Sequence, residues 1–230
     1  MAARKRSRRD VRRGLKMDSD LIVLNLTKLG ENSVVLHTIS RDYGRKSFVI
    51  KVSRKTPMSQ FLPLNILEAD VTESTRTTLW RAGRVTVKYP LTGIRSNIYK
   101  NTMTLFMSEV LYRAIKEGAL EPGLFEWLER SILTLDAMER DFSNYPLRFL
   151  TELAVAMGFS PSADALAPFA GRYYSLLSEF VQAPFAESML IPMNGEVRNA
   201  LSEILLKYLA HHSESSLNVH SLKVLRELYG

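Results

Sequence analysis

The hydrophobic spacing of this chain changes once, near Pro90, and that single change limits the folds open to it. Between residues 20 and 90 apolar side chains recur at every second position. In the run Lys46-Ser47-Phe48-Val49-Ile50-Lys51-Val52-Ser53, residues Phe48, Ile50 and Val52 share one side, while Lys46 and Lys51 fall on opposite sides. Successive side chains of a strand point to opposite faces, so a period of two marks a strand with one face buried. This alternation predicts strands over residues 21–27, 33–40, 45–53, 62–72 and 84–89. Gly30-Glu31-Asn32 and Asp42-Tyr43-Gly44-Arg45 read as hairpin turns, where Gly or Asn supplies the positive φ angle. Five short strands are too few for a sandwich. They suit a small closed or partly closed barrel, of which the OB-fold is the commonest nucleic-acid-binding kind.

After Pro90 the period becomes that of a helix. Met103, Phe106, Met107, Val110, Leu111 and Ala114 form one apolar stripe, stopped by Gly118. Pro122 opens a second helix burying Phe125, Leu128, Ile132 and Leu135. Pro146, behind Asn144, opens a third with Phe149, Leu150, Leu153 and Met157 inward and Gly158 at its end. A fourth carries Val197, Leu201, Ile204, Leu205 and Tyr208, and a last one Leu222, Leu225 and Leu228. Residues 160–193 hold four prolines and the pair Tyr173-Tyr174, and read as irregular, with room for a short hairpin. The expected class is α+β: an N-terminal five-stranded OB-fold β-barrel followed by an all-helical C-terminal domain. The expected boundaries are a disordered basic tail at 1–16, an OB-fold nucleic-acid-binding domain at 17–92 and a helical partner-binding domain at 93–230.

Charge separates along the same boundary. Residues 1–16 hold eight Lys/Arg against one Asp. Residues 17–100 carry a net +6 and residues 101–230 a net −6. A basic half beside an acidic half points to a polyanion partner for the first. The tail has too little apolar surface to offset its ordering entropy. Two readings of it are open: a basic arm that neutralises phosphates, or a segment upstream of the true start, with Met17 opening the first strand. No apolar run approaches the roughly 20 residues that span a bilayer. No apolar stretch follows the basic N-terminus as it would in a secretory signal. The expected compartment is the cytoplasm.

The absence of cysteine removes disulfides, thiol nucleophiles and cysteine-ligated zinc. The four histidines lie outside any metal-ligand spacing, and His211-His212 reads as a solvated helix end. There is no phosphate-binding loop of the G-x-x-x-x-G-K-[ST] kind and no G-x-S-x-G elbow. Glu68 and Asp70 stand two apart on one strand face. They read as solvated carboxylates, with a shared metal as the alternative. No enzymatic turnover and no cofactor are expected. What remains is basic. Arg41, Arg45, Lys46, Lys51, Arg54 and Lys55 gather around one hairpin, and Arg76, Arg81, Arg84 and Lys88 follow near the fifth strand. A backbone-tracking groove needs such density, because each neutralised phosphate releases counterions. Tyr43, Phe48, Phe61, Trp80 and Tyr89 could stack on bases. Phe48 and Phe61 read as core, and for Trp80 core and stacking stay open. No helix shows the basic face that major-groove reading requires.

These residues also resemble a family. Gly30-Glu31-Asn32-Ser33, the run from Val34 to Arg45, Val49-Ile50-Lys51 and Arg54-Lys55 are similar to the N-terminal segment of RecO recombination mediators. Phe61-Leu62-Pro63-Leu64, Glu109 to Arg113, Asn144 to Leu150, Leu153 to Pro161 and Ser221 to Leu225 resemble later motifs of the same family, in the same order. The resemblance implies an OB-fold, a helical domain and no catalysis. It implies a bacterial, nucleoid-associated protein of DNA repair that binds single- and double-stranded DNA and anneals complementary strands. With RecR as a partner, it would help load the RecA recombinase onto DNA coated by single-strand-binding protein, whose C-terminal tail the helical domain would capture. Carried over by position, Arg45, Lys46, Lys51, Arg54 and Lys55 become DNA contacts. Two departures stand out. The four-cysteine zinc site of many relatives is missing, and Val52 stands where a Gly often follows the family's Lys. A protein-interaction or RNA-binding adaptor built on the same barrel is the alternative reading.

Overall fold

The computed structural model describes residues 16–74, 77, 79–213 and 215–229. They form two compact units that meet in the chain between Tyr89 and Pro90.

The first unit is a closed five-stranded barrel in the order β1-β2-β3-β5-β4. β1 (Lys16–Lys28) is long enough to pair twice. Its second half lies antiparallel to β2 (Ser33–Ser40), and its first half antiparallel to β4 (Ile66–Thr72). A bulge between Val23 and Asn25 bends it from one partner to the other. β2 turns into β3 (Gly44–Lys51) with Ser40 opposite Gly44. Gly44 sits at φ +61°, where a Cβ would be strained. β5 (Trp80–Val87) runs antiparallel to β4 and closes the barrel by parallel pairing with β3: Phe48 faces Trp80, Val49 faces Arg81 and Ile50 faces Ala82. This is the OB-fold expected from the alternation.

The barrel interior takes one parity from each strand: Leu21 and Val23, Val34 and Leu36, Phe48 and Ile50, Leu67, Ala69 and Val71, and Ala82. Phe61, at the end of a short 3-10 turn (Met58–Phe61), joins them. Phe48 and Phe61 are therefore core, as read. The first strand starts earlier than the expected residue 21. Lys16-Met17-Asp18-Ser19-Asp20 continues the alternation, so Lys16 belongs to the barrel and not to the tail. Residues 1–15 of that tail lie outside the described residues.

The second unit holds α1 (Thr92–Arg95), α2 (Ile98–Ala114), α3 (Leu124–Ala137), α4 (Tyr145–Ala156), α5 (Ala163–Ala170), α6 (Tyr174–Gln182), α7 (Phe185–Leu190), α8 (Gly195–Ser213) and α9 (Ser221–Tyr229). The Asn97 side chain caps α2 by accepting from the Tyr99 and Lys100 N–H groups at 3.0 and 3.2 Å. The expected stripe from Met103 to Ala114 is buried along its whole length, and α2 packs against α4, α8 and α9. Residues 160–193, expected to be irregular, are mostly helical. Pro161 precedes the Ser162 cap of α5, Pro184 caps α7, and Pro192 follows its end. Three of the four prolines thus punctuate helices instead of breaking them. Among the described residues no helix is long and apolar enough to cross a membrane.

Candidate nucleic-acid interface

The cations singled out in the sequence separate into three groups once the barrel closes. The first is held by carboxylates. Asp20, on the outer face of β1, meets Arg41 at 3.2 Å and Lys88 at 2.7 Å. Asp70, opposite Asp18 across the β1–β4 ladder, is ion-paired to both Lys16 and Arg84, and Arg84 reaches Asp18 at 3.5 Å. The β4–β5 register slips between Glu68 and Asp70, and Arg84 takes φ +44° beside that slip. The bulge brings the guanidinium back over Asp70. Hydrogen bonds from Lys16 and Arg84 hold the Asp70 carboxyl far below the usual carboxylate range. Asp70 is only 5% exposed, so the reading of Glu68 and Asp70 as a solvated pair is corrected for Asp70. Asp18, Asp20, Asp42, Glu68 and Asp70 line a cleft of about 590 Å³ together with Arg41 and Arg84. Ser19 donates to Asp42 there at 2.6 Å.

The second group is covered. Arg45 lies opposite Ile39 on β2 and is 4% exposed. A side chain so enclosed offers no head to a phosphate, and Arg45 is not carried forward as a contact. Arg45 shares its parity on β3 with the buried Ser47, on the side opposite Phe48 and Ile50.

The third group is exposed. Lys51 ends β3, Arg54 and Lys55 occupy the turn behind it, and Arg81 stands on β5 beside Val49. Among the described residues none of these four has an ion-pair partner. Lys51 and Arg81 line a second cleft of about 590 Å³ at the β3–β5 seam. Its other walls include Lys16, Val49, Gln60, Gly83 and Arg84, and Asp70 is its acid. At one mouth of the barrel Trp80 packs against the core and meets Tyr43 at 4.7 Å and Phe48 at 6.4 Å between ring centroids. The Lys46 ammonium lies 4.7 Å from the Trp80 ring. Trp80 is half-buried and packs on the core, in line with its core reading. Tyr43 donates to the Met17 sulfur at 3.0 Å, and burial, with Asp42 and Glu73 nearby, pushes its hydroxyl pKa up. Arg76 lies outside the described residues.

Sequence reasoning missed Lys16, Asp20 and Asp70 as members of this surface. Met17, the small Ser19 and Leu21 share one parity, and that was the available signal for the first two. His211 and His212 are exposed in the last turn of α8, as read, and their rings also touch Phe159, Phe169 and Tyr208. Among the described residues no group of three His, Asp or Glu side chains is placed to hold a metal ion.

Fold and surface together define a class: a small OB-type barrel with exposed cations along one seam, continued by a bundle of helices. Comparison with known proteins sharpens it. Residues 95–167 match the family model described as Recombination protein O C terminal. The chain is 30% identical to the DNA repair protein RecO of Bacteroides fragilis, over 90% of this chain and 97% of that protein. It is 28% identical to that of Phocaeicola vulgatus over 90% and 97%, and 24% identical to that of Flavobacterium psychrophilum over 94% and 100%. The chain belongs to the RecO family of DNA repair proteins.

Proposed function

We propose that this chain is a non-catalytic DNA-binding mediator of DNA repair that grips single-stranded DNA along the β3–β5 seam. Lys51, Arg54, Lys55 and Arg81 neutralise phosphates, and Trp80, with Tyr43 and Lys46, offers a ring on which a base stacks. Arg41, Arg84 and Lys88 act at the margin, since each is already satisfied by a carboxylate. The observation that carries this reading is the cleft at the seam, where Lys51 and Arg81 have no acidic partner among the described residues. Neutralising two complementary strands on such a surface lowers their mutual repulsion and lets the bases pair. Double-stranded DNA is bound through the same phosphate contacts. The helical unit serves as the partner-binding domain for RecR and for the C-terminal tail of single-strand-binding protein, and the assembly loads RecA onto the coated strand. The protein works in the cytoplasm, with the nucleoid.

The experiment is a titration of a labelled oligonucleotide at several salt concentrations. Phosphate contacts make the logarithm of the binding constant fall linearly with the logarithm of salt, by about 0.7 per contact for a single strand. A flat response refutes the phosphate-contact mechanism.

A further inference from the structure

Five cationic or acidic groups share the seam cleft, and they are not equivalent. Lys51 and Arg81 are exposed and have no ion-pair partner among the described residues. Lys16 and Arg84 point into the same cleft and are also open to solvent, their side chains 63% and 71% exposed. Both are tied to one carboxylate, Asp70, whose own side chain is 5% exposed. Two of the cleft's four cations therefore share one buried acid, and Arg84 also reaches the exposed Asp18 at 3.5 Å.

The arrangement is unusual in its asymmetry. A surface ion pair between two mobile side chains is weak and exchanges readily. Here the acid is fixed in the barrel wall, opposite Gly83 on β5 and Asp18 on β1, while the two cations reach to it from either side. A phosphate arriving in the cleft meets Lys16 and Arg84 with a rival anion beneath them that cannot move away. Its gain is the difference between two similar charge-assisted contacts, not the whole of one. Lys51 and Arg81 impose no such exchange.

We infer that Asp70 is a built-in competitor for the DNA phosphate: it withholds Lys16 and Arg84 from the bound strand and so limits the affinity of the seam. Asp70 touches no DNA in this scheme and acts as a positioning residue. The inference rests on the seam being the DNA surface. It adds that the surface is tuned below its attainable affinity, which suits a protein that must give its strand up to another.

The test uses the full chain and a labelled single-stranded oligonucleotide, titrated from low to moderate salt. Asp70→Asn keeps the shape and removes the charge, and Asp70→Ser repeats the charge change with a smaller side chain. Both are checked for native circular dichroism. Glu31→Gln, in the exposed β1–β2 turn, makes the same change in net charge without touching Lys16 or Arg84. Lys51→Ala with Arg81→Ala tests the seam in the same series. The expected result is tighter binding by either Asp70 variant, about threefold to tenfold at low salt. The salt slope should steepen by about 0.7 to 1.4, the equivalent of one or two added phosphate contacts. Glu31→Gln should bind as the unmodified chain does. Unchanged affinity and slope in a folded Asp70 variant overturns the inference, as does an equal gain in Glu31→Gln. If the Lys51/Arg81 variant weakens binding while the Asp70 variants do nothing, only the competitor role fails. If the Lys51/Arg81 variant binds normally, the seam itself is wrong and the competitor role falls with it.

Discussion

Glu109 ties the start of the last helix to the body of the helical unit, and its removal should loosen α9 selectively. The carboxylate projects from α2 and accepts from the His220 N–H at 3.1 Å, the Ser221 N–H at 2.8 Å and the Ser221 hydroxyl at 2.6 Å, while Arg113 donates to it at 2.9 Å. It thus caps α9 from more than a hundred residues away, in the place where a local Asp or Ser would normally serve. Replacing a helix cap costs about 0.5–2 kcal/mol, and hydrogen bonds to a charged group run to about 1.5–3 kcal/mol. The His220 and Ser221 N–H groups lie near the surface and can turn to water, which places Glu109→Ala at about 1–2 kcal/mol. For a unit of this size that lowers the melting temperature by about 3–8 °C. Glu109→Gln, which keeps one acceptor oxygen, should fall between. Hydrogen exchange should show the amides of α9 losing protection before those of α2. The same carboxylate gives a pH signature. Burial pushes its pKa up, but hydrogen bonds from Ser221, the His220 N–H and Arg113 outweigh this and hold it below its ordinary value. A lowered folded-state pKa means the cap's contribution is complete above the unfolded value of about 4.3 and disappears as pH falls through the folded value. Unchanged protection of α9 in a folded Glu109→Ala protein would refute the capping argument.

Two further substitutions test the packing of the helical unit. A Cβ at Gly93 would stand 2.0 Å from the backbone oxygen of Asp136, and backbone cannot yield as a side chain can; Gly93→Ala should cost about 1–3 kcal/mol or more in chemical denaturation. Asn144 is 2% exposed, and its amide donates to the carbonyls of Ser188, Met189 and Ile191 at 3.1, 3.3 and 2.8 Å. Asn144→Ala should cost about 1–3 kcal/mol, and Asn144→Asp should cost more, because it sets a carboxylate against three carbonyl oxygens; a milder effect of Asp than of Ala would contradict that contact.

Much of this architecture was legible because each element carries its own period. Phe48 and Ile50 announce a strand, and Met103 to Ala114 announce a helix, without reference to any other residue. The helices of residues 163–190 were hidden because Pro161, Pro184 and Pro192 look like breakers until one knows that they stand at helix boundaries. The surface was harder to read for a different reason. Whether a cation is available depends on register, and register is not local. Asp20 and Lys88 are 68 residues apart in the chain and 2.7 Å apart in space. Arg84 meets Asp70 only because a bulge in the β4–β5 ladder turns it back. Arg45 and Lys46 are neighbours, yet Arg45 is 4% exposed while Lys46 reaches the Trp80 ring, a difference that strand alternation alone does not predict. Composition located the basic half of the chain; only closure of the barrel separates its satisfied cations from the available ones.

The most direct test of the central claim compares three proteins by anisotropy titration of a labelled single-stranded oligonucleotide over a range of salt. They are the unmodified chain, the Lys51→Ala/Arg81→Ala variant, and a variant in which the Lys and Arg residues of 1–15 are changed to Gln. If the seam is the grip, the second protein binds more weakly with a salt slope shallower by about 1.4, and the third keeps salt-sensitive binding. If the second protein binds like the unmodified chain and the third loses binding, the basic tail is the grip and the barrel seam is not.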